Sequence, residues 1–128
     1  MTSQATGNFD ITLTPTTPAD SPIATMALSK TYHGDLSGKS TGHMLAFRSA
    51  VEGSAGYVAM EHVTATLAGR SGSFTLQHNG LMDKGAPSLA VVVVPDSGTE
   101  GLTGLTGTLD IIISPGRHDY KFDYTLPA

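Results

Sequence analysis

Residues 53 to 85, GSAGYVAMEHVTATLAGRSGSFTLQHNGLMDKG, read as one long β-hairpin. From Tyr57 to Leu67 the side chains alternate. Tyr57, Ala59, Val63, Ala65 and Leu67 share one face, and Val58, Met60, His62, Thr64 and Thr66 the other, the period of two that a strand requires. Ser73 to Met82 alternates in the same way, with Phe74, Leu76 and Met82 opposed by Thr75, Gln77 and Asn79. The Gly69-Arg70-Ser71-Gly72 link supplies a tight connection between the arms. Setting Leu67 opposite Phe74 brings Ala65 against Leu76, Val63 against His78 and Glu61 against Gly80. Apolar then meets apolar, and a one-residue slip would scramble both faces.

Two residues interrupt the apolar face, Glu61 and His78. They stand diagonally in this register, roughly 7–8 Å apart at the backbone, a gap that long side chains close directly or through one water. A charge on a core-facing strand costs several kcal/mol unless it is paired or wet. Either the two side chains pair, or a solvated cavity lies beside Gly80, which leaves space opposite the carboxylate. Asn79-Gly80 is a turn signal in isolation, but the Asp83-to-Pro87 cluster already provides the turn, so both residues stay in the strand.

Outward from the hairpin, the chain carries strand patterns throughout. Asn8 to Thr14 alternates Phe9, Ile11 and Leu13 with polar residues; TPTTPADSP, residues 14 to 22, is a loop in which the prolines remove ladder donors. Ile23 to Tyr32 is a strand, Gly34 and Gly38 mark a bend, and Ser40 to Val51 follows with Leu45, Phe47 and Val51 as its apolar face and Arg48 outward. Ser88 to Val94 and Ile111 to Ile113 are apolar on both faces, which calls for a cover on the outer side. In the last strand His118, Tyr120, Phe122, Tyr124 and Leu126 face inward, between charged neighbours. LAGRSGSF at 67 to 74 and LTGLTGTL at 102 to 109 form a weak repeat, each read as a hairpin corner.

The 128 residues suffice for one domain, 1–128, with its own core. Fifteen glycines, no tryptophan and no helical period indicate an all-β chain. With about eight strands and short links, an antiparallel barrel is the economical fold, because it abolishes exposed edges; a two-sheet sandwich is the alternative. Seven basic against eleven acidic residues give no stripe for phosphates, so no nucleic-acid partner is expected. No targeting leader or apolar span is visible, so no membrane partner is expected. Zero cysteines exclude thiolate sites and fit a reducing cytoplasm.

At GSAGYVAMEHVTATLAGRSGSFTLQHNGLMDKGAPSLAVVVVPDSG, followed by LTGLTGTLDI and HDYKFDYTL, the chain resembles a bacterial family of unknown function with an allene oxide cyclase-like, calycin-like β-barrel. Glu61, Gln77, His78, Gly80 and Pro95-Asp96-Ser97-Gly98 carry that resemblance, which spans roughly residues 7 to 127. It implies a small barrel that often self-associates, and it assigns no activity. Distant relatives of the architecture include cyclases and isomerases of small apolar molecules, but no residue-by-residue match to the cyclase's catalytic set is present, and fold alone does not transfer chemistry.

Three functional expectations follow. The first is a barrel that binds a small apolar ligand, with Tyr57, Gly80, Tyr120 and Tyr124 lining the pocket. The alternative is a cofactor-independent isomerase, cyclase or lyase in which Glu61 and His78 exchange a proton on a small apolar carbonyl compound. The third is a homo-oligomer, a dimer in the simplest case, sharing the doubly apolar strands. None of the five histidines forms a close pair with another along the chain, so no metal site is signalled. Gly34 to Ser40 is one residue short of a phosphate loop and leads into a strand, so it reads as a turn, and no cofactor is expected.

Overall fold

The computed structural model describes residues 2–18 and 20–128; Met1, and Ala19 within the proline-rich loop, lie outside them. Eight strands follow one another: β1 (Ser3–Pro15), β2 (Ala24–Gly34), β3 (Leu36–Arg48), β4 (Ala55–Leu67), β5 (Arg70–Asp83), β6 (Ala86–Val93), β7 (Thr106–Ser114) and β8 (Arg117–Thr125). Each pairs antiparallel with the next and β8 returns to β1, so the sheet closes into the expected barrel. No helix among the described residues is long and apolar enough to cross a membrane.

The hairpin of β4 and β5 is the centre of the wall, but its register differs from the sequence reading. Ala68 and Gly69 both adopt positive φ, 53° and 77°, the backbone of a two-residue hairpin turn whose twist matches the strands. Leu67 therefore faces Arg70 instead of Phe74, a displacement of four residues, and Glu61 faces Leu76 instead of Gly80. Four is even, so every side chain keeps its expected face. The tighter turn wins because it brings Arg70, Ser71, Gly72 and Ser73 into the ladder and leaves only Ala68 and Gly69 in the link, whereas the expected register would leave residues 68–73 unpaired.

β3 presents the opposite face from the one expected. Leu45 and Phe47 are on the outer wall, 49% and 48% exposed, while Leu36, Gly38, Ser40, Gly42, Met44 and Ala46 point inward. Arg48 shares their inward parity at the rim. The physical reason is the close approach of β3 to β4. A Cβ on Gly38 or Gly42 would fall 2.2 or 2.1 Å from a β4 carbonyl oxygen, so the inner side accepts only small residues there. Apolarity alone picked the wrong face.

LTGLTGTL also differs from expectation. The segment 94 to 105, with a short 3₁₀ turn at Glu100–Leu102, is a long connection that folds under the barrel and inserts Leu102 and Leu105, both fully buried. Together with Leu36, Leu67, Phe74, Phe122 and Tyr124 it seals that end, where both termini also lie. Phe74 and Phe122 stack there at 6.0 Å.

The other end, carrying the 16–23, 49–54, Lys84-Gly85 and Pro115-Gly116 connections, is not sealed. Inward-facing Leu13, Met82, Leu89 and Ile113 are 43%, 40%, 42% and 74% exposed there, so apolar surface at this mouth faces solvent. β6 and β7 meet at the single pair Val92 and Thr108, so the wall is thinnest on this side. The strands read as apolar on both faces are covered on the inner face only: Val91 and Val93 are buried there, whereas Val92 and Ile112 remain exposed on the outer face.

Candidate functional site

Halfway along the lumen, where the packed half meets the open half, the apolar interior is interrupted by one polar cluster. Its centre is Glu61 on β4, fully buried. His78 on β5 places Nε2 at 2.8 Å from Oε1, and Lys30 on β2 places Nζ at 3.0 Å from the same oxygen. Tyr32 donates to Oε2 at 2.5 Å and Ser40 on β3 donates to it at 2.6 Å. Alternation explains how one carboxylate collects donors from three other strands. Each donor occupies an inward position, and the tilt of barrel strands carries these positions to a common height.

Glu61 and His78 remain diagonal after the register correction, on the other side of each other, since His78 faces Ala59. Their expected pairing is therefore present, though the space expected at Gly80 is not. Gly80 faces Tyr57, and a Cβ there would fall 2.3 Å from Cε1 of the Tyr57 ring, which occupies the room the glycine leaves. Tyr57 in turn brings its hydroxyl to 3.4 Å from Nδ1 of His78. With Nε2 directed at the carboxylate, Nδ1 is the ring nitrogen left toward Tyr57.

Tyr120 and Tyr124 do not join this group. The Tyr120 hydroxyl accepts from the Leu36 N–H at 2.9 Å and lies against the His33 and Leu36 carbonyls, tying down the β2–β3 turn. Tyr124 packs with Phe122 at the sealed end. The residues the sequence reading missed are Lys30, Tyr32 and Ser40. Lys30 had a signal, because it breaks the inward set Leu28, Tyr32 of β2 just as Glu61 breaks that of β4.

The electrostatics follow from burial. Desolvation alone would raise the carboxyl of Glu61, but the His78 hydrogen bond, the Lys30 charge, and the Ser40 and Tyr32 hydroxyls outweigh it and hold the pKa at about 2, below the ordinary 4.5. Burial, then the neighbouring Glu61 charge, raises Tyr32 far above the usual phenol range and raises Tyr57 as well, so both stay protonated donors. Lys30 is 4% exposed; its Nζ also lies 3.4 Å from the Tyr32 hydroxyl and 4.5 Å from the centre of the Phe9 ring, a cation–π contact. No buried polar side-chain atom among the described residues lacks a partner. Two grooves of 490 and 450 Å³ lie elsewhere, on the outer wall, and neither reaches the cluster.

Fold and site together define a closed eight-stranded antiparallel barrel, sealed at one end, with a saturated buried carboxylate at mid-height. Residues 5–124 match the model of the family described as "Protein of unknown function (DUF3224)", and the chain belongs to that family. It is similar over its whole length to the crystal structure of a protein of unknown function from the same family of Shewanella oneidensis MR-1. The identity is 44%, the TM-score is 0.93, and the match covers 100% of this chain and 99% of that one. No curated protein matches.

Because the folded pKa of Glu61 is depressed, its contribution to stability is fully present above about pH 4.5 and is lost as pH falls toward about 2. A shift of that size corresponds to about 3 kcal/mol. Glu61→Gln removes the counter-charge of buried Lys30 and is expected to cost about 3–5 kcal/mol at pH 7. In urea melts at stepped pH it should also flatten the dependence between about pH 4.5 and 2. A variant with wild-type stability and an unchanged acid limb would show that the cluster contributes nothing.

Proposed function

We propose that this chain is a small-molecule-binding barrel whose ligand occupies the open half of the lumen, a neutral, mostly apolar compound with one carbonyl or hydroxyl group. One observation carries the reading: inward-facing Leu13, Met82, Leu89 and Ile113 are left wet in a barrel whose other half is tightly packed. Exposed apolar surface in a concave position is what such a ligand removes from water. The walls nearest the cluster add small side chains at Gly42, Ala46 and Ala59, all on inward positions. A ligand carbonyl can take the Tyr57 proton in place of its long 3.4 Å contact with Nδ1 of His78, or a ligand hydroxyl can donate to that Nδ1 instead. The ionised Glu61 behind them disfavours an anionic ligand head.

Catalysis receives less support from this geometry. A carboxylate held at about pKa 2 by four donors is a weak base, so proton abstraction by Glu61 would run against its environment. Any isomerase, cyclase or lyase reading passes to the His78 and Tyr57 pair, with Glu61 positioning His78. An allene oxide cyclase-like grouping belongs to the same proposal, supported by the eight antiparallel strands and the open end.

Self-association is proposed through the outer face of β6 and β7, where Val92 and Ile112 stay 37% and 50% exposed. Sedimentation at micromolar concentration should give a dimer that Ile112→Lys converts to monomer; a monomeric wild type would end this part of the proposal.

The binding reading is tested with prodan, a neutral apolar fluorophore bearing one ketone. Wild type should bind it with a blue shift in emission, Ala46→Phe should weaken binding at least tenfold by filling the mouth, and Tyr57→Phe should weaken it about tenfold, the worth of a hydrogen bond to a buried carbonyl. No blue shift with wild type, or equal binding to Ala46→Phe, contradicts the proposal.

A further inference from the structure

The outer wall carries a second cluster that the lumen reading does not use. Along the chain the histidines are scattered, but the β3–β4 register places His43 directly opposite Met60 and Thr41 opposite His62. Met60 and His62 lie two apart on β4, so their side chains leave the same outer face, and His43 is the direct neighbour of one and the diagonal neighbour of the other. Two imidazoles and one thioether therefore stand at the corners of a small triangle.

All three line a single groove of 490 Å³ on the barrel exterior. Its remaining polar lining is hydroxyl, from residues such as Thr12, Ser29, Thr41 and Thr75, with no carboxylate among the lining residues. The His62 Nδ1 lies 3.2 Å from the Thr75 hydroxyl, a tether that orients the ring and leaves Nε2 free to bind. Met60 is 50% exposed, directly opposite His43 on β3 and Gln77 on β5, so its thioether is accessible from the groove.

We propose that His43, Met60 and His62 form a three-ligand site for copper(I) on the outer wall. The ligand set selects the metal. A thioether with two neutral imidazoles is a soft, nitrogen-and-sulfur donor set that suits copper(I), whereas the absence of carboxylates in the groove leaves calcium, magnesium and manganese without oxygen ligands of the right charge. Among the described residues no three histidine, cysteine, aspartate or glutamate side chains come together, so the thioether is what completes the set. The site is independent of the lumen, since these side chains point away from Glu61.

The test is an anaerobic titration of the full chain with copper(I) at pH 7 in competition with the chromogenic chelator bicinchoninate. Wild type should withhold one copper(I) per chain. His43→Ala and His62→Ala should each release it at a chelator concentration at least tenfold lower, Met60→Leu should do the same while keeping the wild-type melting temperature, and His33→Ala, outside the groove and paired with Asp10, should change nothing. No copper withheld by wild type overturns the proposal. Retention undiminished in the His43→Ala/His62→Ala double variant also overturns it, because the binding would then be adventitious.

Discussion

The structure depends on satisfying one buried charge. Glu61 has no access to water, and its two oxygens accept from Lys30, His78, Tyr32 and Ser40, which come from β2, β3 and β5. A cluster of this kind is not needed for stability as such, since well-packed apolar residues of similar volume would serve as well or better. What it imposes is specificity. Sliding β4 by two residues along either neighbour would preserve the alternation of faces yet leave a carboxylate and an ammonium buried without partners. Alternation excludes odd slips, and the cluster excludes even ones.

That division explains what was legible in the residues. The barrel, the inward face of β4 and β5, and the pairing of Glu61 with His78 could be read because period-two alternation is local. The register of the same hairpin could not, because displacements of four keep the pattern intact, and the choice between a four-residue link and the Ala68-Gly69 turn rests on backbone conformation. β3 was read inside out for a different reason. Leu45 and Phe47 look like a core face, but the tight approach of β3 to β4 reserves the interior for Gly38, Ser40 and Gly42. Lys30 was readable and overlooked, as it interrupts an apolar face by the same rule as Glu61.

The cluster also divides the lumen. Below it the long 94–105 connection drives Leu102 and Leu105 into a core of stacked aromatics; above it small side chains and a thin β6–β7 wall leave apolar surface in contact with solvent. A barrel that needed only to be stable would be packed at both ends. The polar floor fixes the half-lumen's geometry without spending its own hydrogen-bonding capacity on a ligand, and Tyr57 stands between the two, joined to the floor through His78 and facing the open side.

The central claim is that Glu61 is a buried, fully satisfied carboxylate that stays ionised in the folded barrel. It is tested most directly by following its side-chain carboxyl ¹³C resonance while the pH is lowered from neutral. The account predicts a signal that holds steady through the range in which exposed carboxylates titrate, near the ordinary 4.5, and moves only as the pH approaches about 2. A midpoint at or above 4.5 would contradict it, for the carboxyl would then be governed by burial and not by its four donors.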